Sequence, residues 1–193
     1  MSVLKVVTAD AAKLILAPEL GGGIARLDVD NKPVLRPWSG NKHNLFSLAH
    51  NVLVPFSNRI SCGGFNWNGV NYSLEPNLDD EIFPIHGDGF QKVWDITNSD
   101  SGISMRLSNG SFGPWRYSAE QLFKLTPNCL TITLIVKNDS ELIFECSNNN
   151  ISFSTQSNCS SRSSYTSNEN DDEEDNDISD SDSDNSILSL NIE

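Results

Sequence analysis

Basic residues are scarce in this chain: 13 Lys and Arg stand against 26 Asp and Glu, for a net charge of −13 over 193 residues. Gripping nucleic acid or an anionic membrane depends on Lys and Arg that neutralise phosphate. With no basic stripe in the sequence, neither is expected as a partner. Long apolar runs are missing too, since none approaches the ~20 residues needed to cross a bilayer. Lys5, Asp10 and Lys13 interrupt the N-terminal stretch before it could serve as the apolar region of a secretory signal, so a cytoplasmic protein is expected. Cys62, Cys129, Cys146 and Cys159 form no C-x-x-C pair and read as free thiols, so no disulfide framework, zinc site or redox centre is expected. Neither a metal nor another cofactor is called for.

Helical periodicity is also wanting. Between residues 3 and 136 the apolar residues fall into short β-rich pieces, at 3–8, 13–17, 24–29, 93–97, 103–107, 117–125 and 130–136, separated by turn formers. In the last piece Leu130, Ile132, Leu134 and Val136 share one face at period two, with Thr131 and Thr133 on the other. The run Gly21-Gly22-Gly23 is followed by a strand-like Ile-Ala-Arg-Leu-Asp-Val rather than a helix, so it reads as a tight bend and not as a phosphate cradle. Residues 65–74 form the firmest local signal. Asn68-Gly69 is the favoured pair for a two-residue type I′ turn, and Phe65, Trp67, Tyr72 and Leu74 alternate around it. These features predict an all-β antiparallel sandwich over residues 1–146.

Beyond Asn138 the composition changes to Ser, Asn and Asp. Residues 161–193 hold one base, Arg162, and eleven acids, a net of −10, which leaves −3 for residues 1–160. Such a stretch cannot bury enough apolar surface to offset its ordering entropy, so residues 147–193 are expected to form a disordered acidic tail. Asp180, Asp182 and Asp184 alternate as in a calcium loop, but Asn185 stands where that loop needs glycine and Asn191 where it needs a bidentate glutamate. A solvated tail is the reading taken, with attraction to a basic partner and phosphorylation of Ser179, Ser181 and Ser183 by an acid-directed kinase as its functional expectations.

Residues 53–94 carry the chemistry. An apolar run ends in Asn58-Arg59, and a histidine is held in Ile85-His86-Gly87-Asp88-Gly89-Phe90. A guanidinium fork, an adaptable imidazole and glycines that let backbone approach closely are what a polyhydroxylated ligand requires. Asp88 reads as a glycine-flanked turn residue, and His43 and His50 as loop or packing residues.

In order along the chain, Leu20-Gly21-Gly22-Gly23-Ile24-Ala25-Arg26-Leu27, Val34-Leu35-Arg36-Pro37, Val54-Pro55-Phe56-Ser57-Asn58-Arg59-Ile60, Ile85-His86-Gly87 and Gly113-Pro114-Trp115-Arg116-Tyr117 resemble the aldose 1-epimerase (galactose mutarotase) family. The resemblance covers about residues 1–140 and rests on several motifs in sequence, strongest at the Asn-Arg-Ile motif. It implies the galactose mutarotase-like β-sandwich, or supersandwich, and an isomerase of carbohydrate metabolism that interconverts the α and β anomers of an aldohexose. It further implies substrate contacts for Asn58, Arg59 and His86. That family uses a histidine acid from a later histidine-proline-tyrosine motif and a glutamate base from further on. Neither is found in this sequence, where no histidine follows His86, so the catalytic residues are left unassigned.

Three functional expectations follow. The chain is an aldose 1-epimerase-like isomerase, truncated or frame-shifted after Asn138 and inactive as written; or a non-catalytic sugar-binding module; or an interaction protein working through its acidic tail. The partner in the first two is a monosaccharide. A sandwich ending near Val136 leaves strand edges open, so self-association is expected as well.

Overall fold

The computed structural model describes residues 4–42, 44–99, 102–140 and 185–192. Eleven strands are found among them: β1 (Lys5–Ala9), β2 (Ala12–Ala17), β3 (Gly23–Val29), β4 (Lys32–Pro33), β5 (Gly64–Trp67), β6 (Val70–Ser73), β7 (Asp95–Ser99), β8 (Gly102–Phe112), β9 (Trp115–Leu125), β10 (Leu130–Asn138) and β11 (Asn185–Ile192). Only single 3-10 turns, at Leu45–Ser47, Ser61–Gly63 and Gly89–Gln91, interrupt this all-β pattern among the described residues. No helix there is long and apolar enough to cross a membrane.

The strands form a four-stranded sheet in the order β1-β2-β3-β4, a five-stranded sheet in the order β11-β10-β9-β8-β7, and the β5-β6 hairpin. Every pairing between strands is antiparallel. Alternation decides what each strand buries. In β9, Trp115, Tyr117, Ala119, Gln121 and Phe123 face inward, with Arg116 and Lys124 exposed on the opposite side. The main core joins both sheets: Leu14, Leu16, Ile24 and Leu27 from one meet Met105, Leu107, Tyr117, Phe123, Leu130 and Ile132 from the other. The molecule is thus a sandwich held by apolar burial between two layers.

A bulge in β8 redirects this core. The register against β9 shifts between Leu107 and Gly110, so Met105 and Leu107 point inward at odd positions while Gly110 and Phe112 do so at even ones. Phe112 consequently joins a second cluster with Leu74 and Trp115, against which Phe56, Ile60 and Phe65 of the hairpin region pack.

The triple glycine is the bend between β2 and β3. Gly21 and Gly22 both take φ +66, and a Cβ on Gly21 would run into the backbone of Phe90. The carbonyl of Gly22 accepts from the side chain of buried Gln121 at 2.9 Å, and Trp94 N donates to the Pro18 carbonyl at 3.0 Å. The segment after His86 is therefore braced on this bend.

One expectation is corrected. Part of the stretch assigned to a disordered tail, Asn185–Ile192, is a strand paired with β10 along eight residues, from Leu130↔Ile192 to Lys137↔Asn185. Its sequence, Asn-Ser-Ile-Leu-Ser-Leu-Asn-Ile, alternates apolar and polar residues over its last five positions, a strand signal that the surrounding acidic composition masked. The β10 edge expected to lie open is covered by it. The remainder of the tail, residues 147–184 and 193, lies outside the described residues, as do Cys146 and Cys159. Cys62 and Cys129 are free thiols.

Candidate functional site

Two isolated bridges hold the segment that carries His86. Arg59 pairs antiparallel with Ile85 and Val54 pairs parallel with Gly87, so His86 is flanked on both sides by backbone fixed to the 54–59 run. Gly87 has φ +66, and a Cβ there would collide with the Val54 carbonyl and the Pro55 ring, which explains why glycine follows the histidine. The Val54-Pro55 peptide is cis.

Asn58, Arg59 and His86, the three candidate substrate contacts, lie together in the fold. The backbone N–H of Asn58 donates to His86 Nδ1 at 2.9 Å, and the backbone N–H of His86 donates to the Asn58 carbonyl at 3.0 Å. With Nδ1 accepting, the neutral ring carries its proton on Nε2, which is then a donor. Burial first, and the positive charge of Arg59 second, hold the His86 pKa below its ordinary value, with Glu81 opposing. The Asn58 side chain turns back to accept from Arg59 N at 2.9 Å.

Three further residues complete the site without having been singled out in the sequence. Glu81 receives the Arg59 fork on both oxygens, at 2.7 Å from Nε to Oε2. The Arg59 side chain remains half exposed, and this hydrogen bonding lowers the Glu81 pKa. Asn77 brackets the histidine: its Nδ2 donates to the carbonyls of Ile85 at 2.8 Å and Gly87 at 2.7 Å, and its Oδ1 accepts from Ile85 N at 2.8 Å. Phe46 lies edge-on to the His86 ring at 6.1 Å and stacks on Phe90 at 5.4 Å. Nothing in the composition of residues 77–81, a polar and acidic stretch, distinguishes Asn77 or Glu81 from their neighbours. Their roles come from contacts that only the folded chain makes.

The other candidates separate clearly. Asp88 is buried, accepting from Ser111 N at 3.1 Å and from the Tyr117 hydroxyl, with Lys92 Nζ at 3.4 Å. It braces the segment from within the fold, a role beyond the glycine-flanked turn residue expected from the sequence. His50 is enclosed, and its carbonyl accepts from Ile24 N at 3.3 Å, while His43 lies outside the described residues. No group of three or more His, Cys, Asp or Glu is placed to hold a metal ion among the described residues. The cluster of Arg59, Glu81 and His86 therefore offers cationic donors, a carboxylate acceptor and an imidazole N–H on an open surface, beside an aromatic wall. Such a set matches the alternating donor and acceptor demands of vicinal hydroxyls.

A family model described as aldose 1-epimerase matches residues 5–161. The chain is 38 % identical over 120 residues to the uncharacterized protein YphB of Escherichia coli K12, covering 61 % of this chain and 40 % of that one. Its structure is similar to that of a putative aldose 1-epimerase from Escherichia coli K12, with a TM-score of 0.63 and 34 % identity over 70 % of this chain and 46 % of the other. A similar fold is found in galactose 1-epimerase from Lactobacillus acidophilus NCFM, with a TM-score of 0.58 and 17 % identity, covering 69 % and 43 %. The chain spans less than half the length of each of these relatives.

Proposed function

This chain belongs to the aldose 1-epimerase family, and on that premise we propose that Asn58, Arg59 and His86 form the substrate-holding side of an aldohexose site. The observation that carries this reading is the pinned imidazole. His86 spends Nδ1 on the backbone of Asn58, which leaves its Nε2–H as the ring's free donor, within the electrostatic reach of Arg59. Arg59 is itself steered by Glu81, whose carboxylate retains lone pairs for a sugar hydroxyl. Adjacent donors and acceptors then bind neighbouring hydroxyls of one ring, and the preset geometry limits the entropy lost on binding.

Interconversion of anomers requires a base at the anomeric hydroxyl and an acid at the ring oxygen. Asn58, Arg59 and His86 hold the sugar, and neither proton transfer falls to them. Calorimetric titration of the chain with D-glucose and D-galactose tests it. Heat of binding that Arg59→Ala abolishes is the expected result, and absence of heat with both sugars in the unaltered protein overturns the proposal. Polarimetry on the same sample reports separately whether mutarotation exceeds the buffer rate.

A further inference from the structure

Phe46 is the one exposed aromatic side chain among the described residues, with 42 % of its surface open to solvent. Scattered exposed apolar residues are normal and need no explanation, and Val6, Val34, Val70, Ile82 and Val93 are of that kind. Phe46 differs in where it stands and in how firmly it is held. Its ring stacks on fully buried Phe90 at 5.4 Å with 26° between planes, and it meets the His86 ring nearly edge-on at 6.1 Å and 69°. His86 and Phe90 are in turn edge-to-face at 6.1 Å. These three rings form one continuous aromatic wall, of which Phe46 is the open end.

The backbone beneath Phe46 is anchored as well. Arg36 Nη2 donates to the carbonyls of Phe46 at 3.0 Å and Leu48 at 2.7 Å, and Ser47 N donates to the Asn44 carbonyl at 3.0 Å. An exposed ring whose backbone and inner face are both fixed loses little conformational freedom when something settles on it. A pyranose has hydroxyls around its rim and patches of C–H on its faces. Its C–H groups are drawn to the electron-rich face of an aromatic ring, while its hydroxyls need the polar donors next to it.

Resting on the sugar-site reading above, we infer that Phe46 is the apolar floor of that site, packing against a C–H face of the pyranose while Arg59 and His86 take its hydroxyls. Phe46 then selects for sugars that present an uninterrupted C–H face.

Titration of the full chain with D-glucose and D-galactose, by calorimetry and by saturation-transfer NMR, tests this in Phe46→Ala, Phe46→Leu and Phe46→Trp. Leu retains apolar bulk without an aromatic face, so it guards against simple unfolding, and Trp restores the face. The expected result is about tenfold weaker binding in the Ala and Leu variants and retention in Trp, with strongest saturation at ring C–H protons of the sugar. Binding by the Leu variant equal to that of the unaltered protein overturns the inference and leaves the sugar site standing. No binding of either sugar by the unaltered protein overturns both.

Discussion

Asn58 and His86, 28 positions apart, exchange hydrogen bonds in both directions, from Asn58 N to the imidazole Nδ1 and from His86 N to the Asn58 carbonyl. Both residues sit in the left-handed region, with φ of 71° and 63°. That backbone is costly for side chains other than glycine and asparagine, so the pairing and the bridges beside it must hold His86 there.

The exchange sets a pH dependence. Protonation of Nδ1 would remove the acceptor that Asn58 uses, and burial together with Arg59 already holds the His86 pKa below 6.5. A depressed histidine contributes stability that is complete above the unfolded value and is lost as pH falls below it. Sugar affinity should therefore be flat above neutrality and weaken on acidification. An NMR titration of the His86 ring is expected to show a midpoint below 6.5, and a midpoint above that value would mean Nδ1 is not accepting.

Asn77 makes a second prediction. Its amide satisfies both carbonyls that flank His86 and one amide N–H. Asn77→Ala should cost about 1–3 kcal/mol in urea unfolding, because partly buried backbone groups lose their partners. Asn77→Asp should cost more, since a carboxylate would face the Ile85 and Gly87 carbonyls without an N–H to offer either. Equal stability of the two variants would show that solvent replaces the bracket.

How much of this was legible in the sequence depended on the range of the interaction. The β5-β6 hairpin was readable because Asn68-Gly69 states its own turn, and the pair takes φ of 48° and 76° as a type I′ turn requires. Strands β2, β3, β9 and β10 lie within two residues of their predicted bounds because each is a short β-rich run set between turn formers. Strand β8 runs on to Phe112, past the predicted end at Leu107, because the register shifts at a bulge between Leu107 and Gly110 and the strand continues beyond it. Ordered motifs single out Asn58, Arg59 and His86 as candidates, whereas Asn77, Glu81 and Phe46 meet them only through contacts between residues distant in sequence.

Tyr117 and Asp88 support a third prediction. The Tyr117 hydroxyl reaches both the Asp88 carboxylate and the Val54 carbonyl, the latter at 3.1 Å, tying β9 to the two loops of the site. Burial first and Asp88 second raise its pKa far above the usual phenol value, so it stays a donor at any working pH. Tyr117→Phe should cost about 1–3 kcal/mol by leaving a buried carboxylate short of a donor. Sugar affinity should fall with it, as Val54 and Asp88 flank the backbone that positions His86. A variant that melts with the parent would show the hydroxyl to be dispensable.

His50 supplies the last prediction, one that concerns acid stability rather than binding. Its Nδ1 is enclosed without a hydrogen-bond partner among the described residues, and burial lowers its pKa from 6.5 to about 4. The unfolded chain therefore takes up a proton as pH drops below 6.5, whereas the folded chain resists until about 4. Stability is complete above the upper value and declines through this window, by about 3 kcal/mol in all at 1.36 kcal/mol per unit. Glu81 and Asp139, whose pKa values are also lowered in the fold, add acid sensitivity of their own. A comparison of the parent with His50→Leu isolates the imidazole, because those carboxylates are common to both. The difference between their urea stabilities should be constant above pH 6.5 and shift progressively in favour of the Leu variant on acidification. Parallel curves throughout would mean that His50 is protonated in the folded chain without penalty.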